Sequence, residues 1–241
     1  MYLRDIDISL SEALQQVFGS DFNTRFPSLS FSTTVHFLFH LSKQKLETGD
    51  VRKACIKLVD TVPAENARKD GMGILFLSHP FDLPAFAGLN AYEQKRFLLE
   101  MILDVLNRTS GEMGWDSKKL QTAFDQCLQD QLIYERMLSS PIRHPSRNFN
   151  VKMSYRIDPY HIHYFAHLFP NRSSKQICKK LLGTTRAHRG SLSQLKEPAE
   201  WLGGNKIRMK DQRRQIRVNP AGGGNVVWTD HYWEVTFDEI I

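Results

Sequence analysis

Twenty consecutive residues, FNVKMSYRIDPYHIHYFAHL from Phe149 to Leu168, leave this chain little choice but to build a sheet. Phe149, Val151, Met153, Tyr155 and Ile157 share one face of an extended chain. After Asp158-Pro159, Tyr160, Ile162, Tyr164, Ala166 and Leu168 resume the alternation in the opposite parity. Side chains of a strand alternate between its two faces, so a change of parity requires a turn or a bulge at the Asp-Pro pair. Two half-buried strands are expected, joined there.

The other strong local signal is helical. Asn90 with Glu93 three residues on has the spacing of a capping box, and Phe97, Leu98, Met101, Ile102, Val105 and Leu106 form an apolar stripe that ends at SGEMG. Asp116 can cap a second helix, with Trp115 before the cap and Leu120 after it as a hydrophobic staple, followed by Ala123, Phe124, Cys127, Leu128 and Leu132. These segments predict an αα-hairpin. Near the start, Ser9 and Glu12 predict a first short helix that ends at Gly19.

SLSFSTTVHFLFHL, residues 28–41, alternates in period two and predicts a strand. KACIKLVDTV and GILFLSHPF predict two more, with AENARKDG as the loop between them. Late in the chain KIRMK, QIRVN and NVVWTDHYWEVTF predict a meander of three strands, the first two pairing around Asp211-Gln212. The expected class is α+β: a mostly antiparallel sheet with an inserted αα-hairpin and a C-terminal β-meander. One domain over 1–241 is expected, and the place where it could divide is the connector 139–148, which two prolines keep out of regular structure.

Charge enters the argument because it is local. The whole chain carries +6, yet between Arg172 and Arg217 thirteen Lys or Arg face three Asp or Glu. On the expected strands Ile207 and Met209 point inward. Lys206, Arg208, Lys210 and Arg217 then gather outside, with Arg213 and Arg214 at the turn and Trp228 and Tyr232 on the last strand. Like charges opposed across strands repel by a few tenths of a kcal/mol each, roughly, so something acidic should sit nearby. Either the protein's own Asp230 and Glu234 supply it, or a partner does: an acidic protein surface, or nucleic acid phosphate with Trp228 and Tyr232 stacking on bases.

Histidines are the obvious candidates for chemistry. His161, His163 and His167 fall on the polar face of their strand, where alternation alone explains them; His161 and His163 are assigned to a partner-facing row. His36 and His40, four apart on an expected strand, would be about 13 Å apart and could not share an ion. No metal and no cofactor is expected. Cys55, Cys127 and Cys178 lack CxxC spacing and are read as free thiols, the first two in the core. GxSxG, P-loop, GxGxxG and HExxH patterns are absent, GMG at 71–73 and GGG at 222–224 are expected turns, and no catalytic residue is assigned. No run of about 20 apolar residues is present and Arg4, Asp5 and Asp7 interrupt any leader-like segment, so a cytoplasmic protein without a membrane contact is expected.

The segment from Glu93 to Leu132, helix then Gly-Trp-Asp then helix, resembles one found in β-rich bacterial proteins that confer immunity to polymorphic or contact-dependent toxins. The resemblance implies a cytoplasmic, non-catalytic protein that neutralises one cognate toxin by covering its active site. Immunity proteins directed at nucleases are often acidic, and this chain departs from that in being basic. The alternative is an RNA-binding protein, or a metal-independent RNA-processing enzyme with a histidine such as His188 as general base within the basic stretch 172–217.

Overall fold

The computed structural model describes residues 1–17, 19–63, 67–138, 140–196, 199–218 and 227–238, with backbone alone at 193–196, 212–218 and 227–230. The chain forms two compact units: Met1–Tyr134 with Ile157–Tyr160, and Glu135–Arg156 with His161–Ile241.

The first unit runs β1 (Asp5–Leu10), α1 (Glu12–Val17), α2 (Ser20–Gln44), β2 (Lys53–Val59), β3 (Ala67–Lys69), β4 (Ile74–Pro80), α3 (Leu83–Ala87), α4 (Ala91–Met113) and α5 (Ser117–Gln129). Its sheet has the order β1-β2-β4-β3. β1, β2 and β4 run parallel, because α1 and α2 carry the chain back from β1 to β2, and only β3 is antiparallel to its neighbour. The antiparallel expectation therefore fails for the core of this sheet.

The larger correction is α2. Residues 28–41 are not a strand but the body of a 25-residue helix, about 37 Å long at 1.5 Å per residue. Its apolar side is Leu29, Phe37 and Leu41, all buried, with Thr33 in line at the same four-residue spacing. Alternation misleads here because Ser32, Thr34, His36 and His40, placed on the polar face of a strand, are buried. The Thr33 hydroxyl donates to Leu29 O at 2.8 Å and Thr34 to Phe31 O at 3.1 Å, while the Ser32 hydroxyl lies 2.9 Å from Leu29 O and 3.1 Å from Pro159 O, so all three are buried with a hydrogen-bond partner in the helix. The start of the chain is corrected as well: Ser9 and Leu10 end β1, and Ser11 Oγ accepts from Leu14 N at the head of α1.

The helical hairpin has the expected ends. Asn90 Oδ1 accepts from Tyr92 N and Glu93 N, and Glu93 Oε2 accepts from Asn90 N at 2.8 Å. Gly114 closes α4 in the left-handed conformation, and Asp116 accepts from Lys118 N at the start of α5. Asn90→Ala should cost about 1 kcal/mol, read as a lower urea midpoint at unchanged slope; an unchanged midpoint would show that the box contributes nothing. Around it Phe22, Phe26, Phe81, Phe86 and Phe97 form one aromatic cluster, most pairs edge-to-face or tilted. Among the described residues no helix is long and apolar enough to cross a membrane.

The second unit holds β5 (Tyr134–Met137), β6 (Ile142–Arg143), β7 (Phe149–Ile157), β8 (His161–Pro170), β9 (Cys178–Arg186), a 3₁₀ turn (Arg189–Lys196), β10 (Ala199–Leu202), β11 (Lys206–Val218) and β12 (Val227–Thr236). One sheet has the order β5-β7-β8-β9 with β6 on β7; the other is the antiparallel meander β10-β11-β12. The parity switch at Asp158-Pro159 is a turn, as expected, and Val151, Ile157, Ile162, Tyr164, Ala166 and Leu168 are buried. The meander differs from expectation. KIRMK and QIRV, residues 206–210 and 215–218, are one strand, β11, with a register irregularity between Asp211 and Gln215, and its new first partner is β10; Asn219 lies outside the described residues. Asp211, expected in a turn, is a buried strand residue 3.6 Å from His231 Nδ1. The two sheets meet where Trp233 of β12 stacks on Tyr164 of β8, centroids 5.1 Å apart, and lies against Gly183 of β9.

Candidate functional site

Because Tyr164 and Trp233 face each other between the sheets, the residues alternating with them must point away on opposite sides of the second unit. The residues expected to form one partner surface therefore divide into two groups.

One group lies on the outside of the meander. Lys206, Arg208 and Lys210 alternate with buried Ile207 and Met209, and their register partners are Thr236, Glu234 and Tyr232. Lys206 Nζ is 3.1 Å from Glu234 Oε2, Arg208 Nε is 2.6 Å from Glu200 Oε1, and the Arg208 guanidinium lies over the Tyr232 ring at 4.8 Å. The bond to Glu200 raises Arg208 above the ordinary guanidinium range. Own carboxylates thus neutralise part of this face; Glu234 was foreseen, Glu200 was not. The side chains of Arg213, Arg214, Arg217 and Trp228 lie outside the described residues.

The other group lines the outside of β8. His161, His163, Phe165 and His167 form a row of rings with successive centroids 6.1, 6.4 and 6.5 Å apart. Phe165 is paired with Leu181 of β9, which is 53% exposed. Arg156 lies over the Phe165 ring at 5.5 Å and Lys179 at 4.2 Å, and Lys179 also bonds Glu135 at 2.6 Å. His161 pairs with Arg186 across the strands, and His163 Nδ1 is 3.0 Å from Thr184 Oγ1. His167, expected in solvent, is buried between Ser154 Oγ at 2.6 Å and Gln176 Oε1 at 2.7 Å, and burial lowers its pKa. Arg156, Lys179 and Leu181 escaped the sequence reading because strand neighbours are not neighbours in sequence.

A third cluster arises from the correction of α2. On a helix His36 and His40 are one turn apart, with ring centroids 5.2 Å apart, so the argument that separated them falls. Both are buried against α5. Asp130 Oδ2 lies 3.3 Å from His36 Nε2 and 2.8 Å from His40 Nε2, and Gln126 Oε1 is 3.0 Å from His40 Nδ1. Cys127, fully buried, brings its sulfur to the same place: one donor atom of each of His36, His40 and Cys127 lies within 4.8 Å of the others. Lys95, also buried, donates to Leu132 O at 2.6 Å. Burial, aided by the Lys95 charge, lowers His36 to about 3; burial lowers Lys95 to about 8 and, with the Asp130 charge, raises the Cys127 thiol to about 12. Burial would also raise Asp130, but its bonds to His36 and His40 outweigh that and hold it below the usual carboxylate range. Cys55, expected in the core, is only partly buried.

The chain matches no protein-family model, no curated protein and no solved structure.

Proposed function

We propose that this protein acts without catalysis, as an immunity-type binding protein that neutralises a cognate toxin by direct contact with an acidic surface, in the bacterial cytoplasm. The contact surface we assign is the outer face of β8 and β9. The observation that carries this reading is an apolar centre, Phe165 with exposed Leu181, rimmed by Arg156, His161, His163 and Arg186. An apolar centre inside a polar rim is the usual anatomy of a protein contact, and positive charge at the rim speeds encounter with an acidic partner. The resemblance of the helical hairpin to immunity proteins supports the same direction.

Nucleic acid is the weaker reading on this face for a geometric reason. Base stacking needs an open ring face, and Arg156 and Lys179 already sit over Phe165. Generic single-stranded RNA should therefore not bind measurably at 0.1 M salt; retention with a steep salt slope would replace the proposal with the RNA-binding alternative. Conversely, a stoichiometric protein partner recovered from the native host should bind Leu181→Asp at least about thirtyfold more weakly, the loss expected of a central contact residue. Undiminished affinity of that variant would remove this face.

A further inference from the structure

His40 is held at both ring nitrogens, by Gln126 on one side and by Asp130 on the other. Gln126 Oε1 accepts from Gln44 Nε2 at 3.3 Å and lies 3.0 Å from His40 Nδ1, an amide orientation in which Nδ1 carries the proton. A neutral imidazole has one N–H, which leaves Nε2 as a lone pair. That lone pair faces Asp130 Oδ2 at 2.8 Å, and a carboxylate oxygen also only accepts. In that orientation a second proton or a metal ion joins the two; with both amides turned over, His40 Nε2–H donates to Asp130 directly.

A second proton would account for that one contact. His36 Nε2–H can donate to the same oxygen at 3.3 Å, but its buried Nδ1 has no partner, and the Cys127 thiol converges on both rings. We infer that His36, His40 and Cys127 form a binding site for a borderline divalent metal ion of the zinc type, beside Asp130, whose carboxylate lies against both imidazoles. Four features support the assignment. Two imidazoles and a thiolate are a zinc donor set, with the remaining position of the tetrahedron open to water. Gln126, itself held by Gln44, takes the His40 Nδ1–H in the way that outer carbonyls orient metal-bound histidines. Asp130 is the C-cap of α5, where a negative charge opposes the helix dipole and needs a cation to offset it. The Asp130 side chain is 44% exposed, which gives an ion a way in from solvent.

Two neutral imidazoles and one thiolate offset one charge of a divalent ion, and the Asp130 carboxylate beside the imidazoles offsets the other. Cys127 must give up its proton to solvent on binding, against the burial that raises the thiol to about 12 and that the Lys95 charge only partly offsets. Affinity should therefore fall as pH is lowered. The ion would tie α2 to the end of α5 in the first unit, independently of the partner surface proposed above.

The test uses the full-length chain stripped of metal and titrated with Co²⁺ as a coloured stand-in for Zn²⁺. One equivalent should bind, with a thiolate-to-cobalt charge-transfer band and tetrahedral visible bands that one equivalent of Zn²⁺ abolishes. Cys127→Ser should lose the charge-transfer band and Cys178→Ser should keep it. His40→Gln should weaken zinc binding by at least about a hundredfold, and Gln126→Ala should weaken it about ten- to hundredfold while keeping the band. Circular dichroism without metal establishes that each variant is folded, and the wild-type spectrum decides the matter should one not be. No charge-transfer band in the wild type, or its survival in folded Cys127→Ser, overturns the site and leaves a proton between His40 and Asp130.

Discussion

Phe37→Ala lowers the stability of the first unit by about 3–5 kcal/mol, whereas Phe39→Ala costs about 1–2 kcal/mol. The two residues separate helix from strand. On a strand, positions 37 and 39 share one face and their truncations would cost alike. On α2 they are 200° apart in rotation at about 100° per residue. Phe37 is 0% exposed among the core residues, while Phe39 lies at the margin, its ring 4.9 Å from Tyr134 and 3.9 Å below the Lys43 ammonium. Removing Phe37 leaves a cavity whose lining cannot collapse; removing Phe39 exposes surface that water can cover. Urea denaturation of both variants measures the difference, and equal losses would return residues 28–41 to the sheet.

Gly183→Val should destabilise the second unit by about 3 kcal/mol, at the upper end of overpacking costs. Gly183 lies opposite Tyr164 in the β8–β9 register, and a Cβ at this position would overlap the Trp233 indole. A glycine inside a strand commonly marks such a close approach. The indole cannot step aside, because Tyr164 stacks against it and Met209 is its register partner on β11. Near-ultraviolet circular dichroism and denaturation should show lost packing in Gly183→Val. Trp233→Leu, which alone leaves a void, should recover about 1–3 kcal/mol of the deficit when combined with it. Purely additive losses would show that the two side chains do not meet.

Where the local chemistry admits one reading, sequence and structure coincide. Asn90 with Glu93 and Asp116 cap the helices they were expected to cap, because an N-cap is satisfied within three residues and needs nothing from the rest of the fold. The opposite-parity strands β7 and β8 with their Asp-Pro turn coincide for the same reason, since a hairpin's register is a local matter. Residues 28–41 failed because a two-letter alphabet of apolar and polar cannot represent a hydroxyl that bonds its own helix. KIRMK and QIRVN failed because Asp-Gln reads as a turn until Asp211 is seen buried beside His231. The candidate sites were less legible still. His36 with His40, and Cys127 with Asp130, each have the spacing of one helical turn, a signal that was present but unusable while the first pair was placed on a strand.

By itself, then, the amino-acid order determined the mixed α+β class, the helical hairpin and the parity of β7 and β8, all consequences of forces acting over a few residues. Only the tertiary structure decided that β1, β2 and β4 run parallel, that Lys206 and Arg208 have carboxylate partners, that Leu181 joins Phe165, and that two imidazoles, a thiol and a carboxylate meet between α2 and α5. Those contacts join residues up to about ninety positions apart. Their free energy comes from burying surfaces against one another, and no local pattern encodes which surfaces will meet.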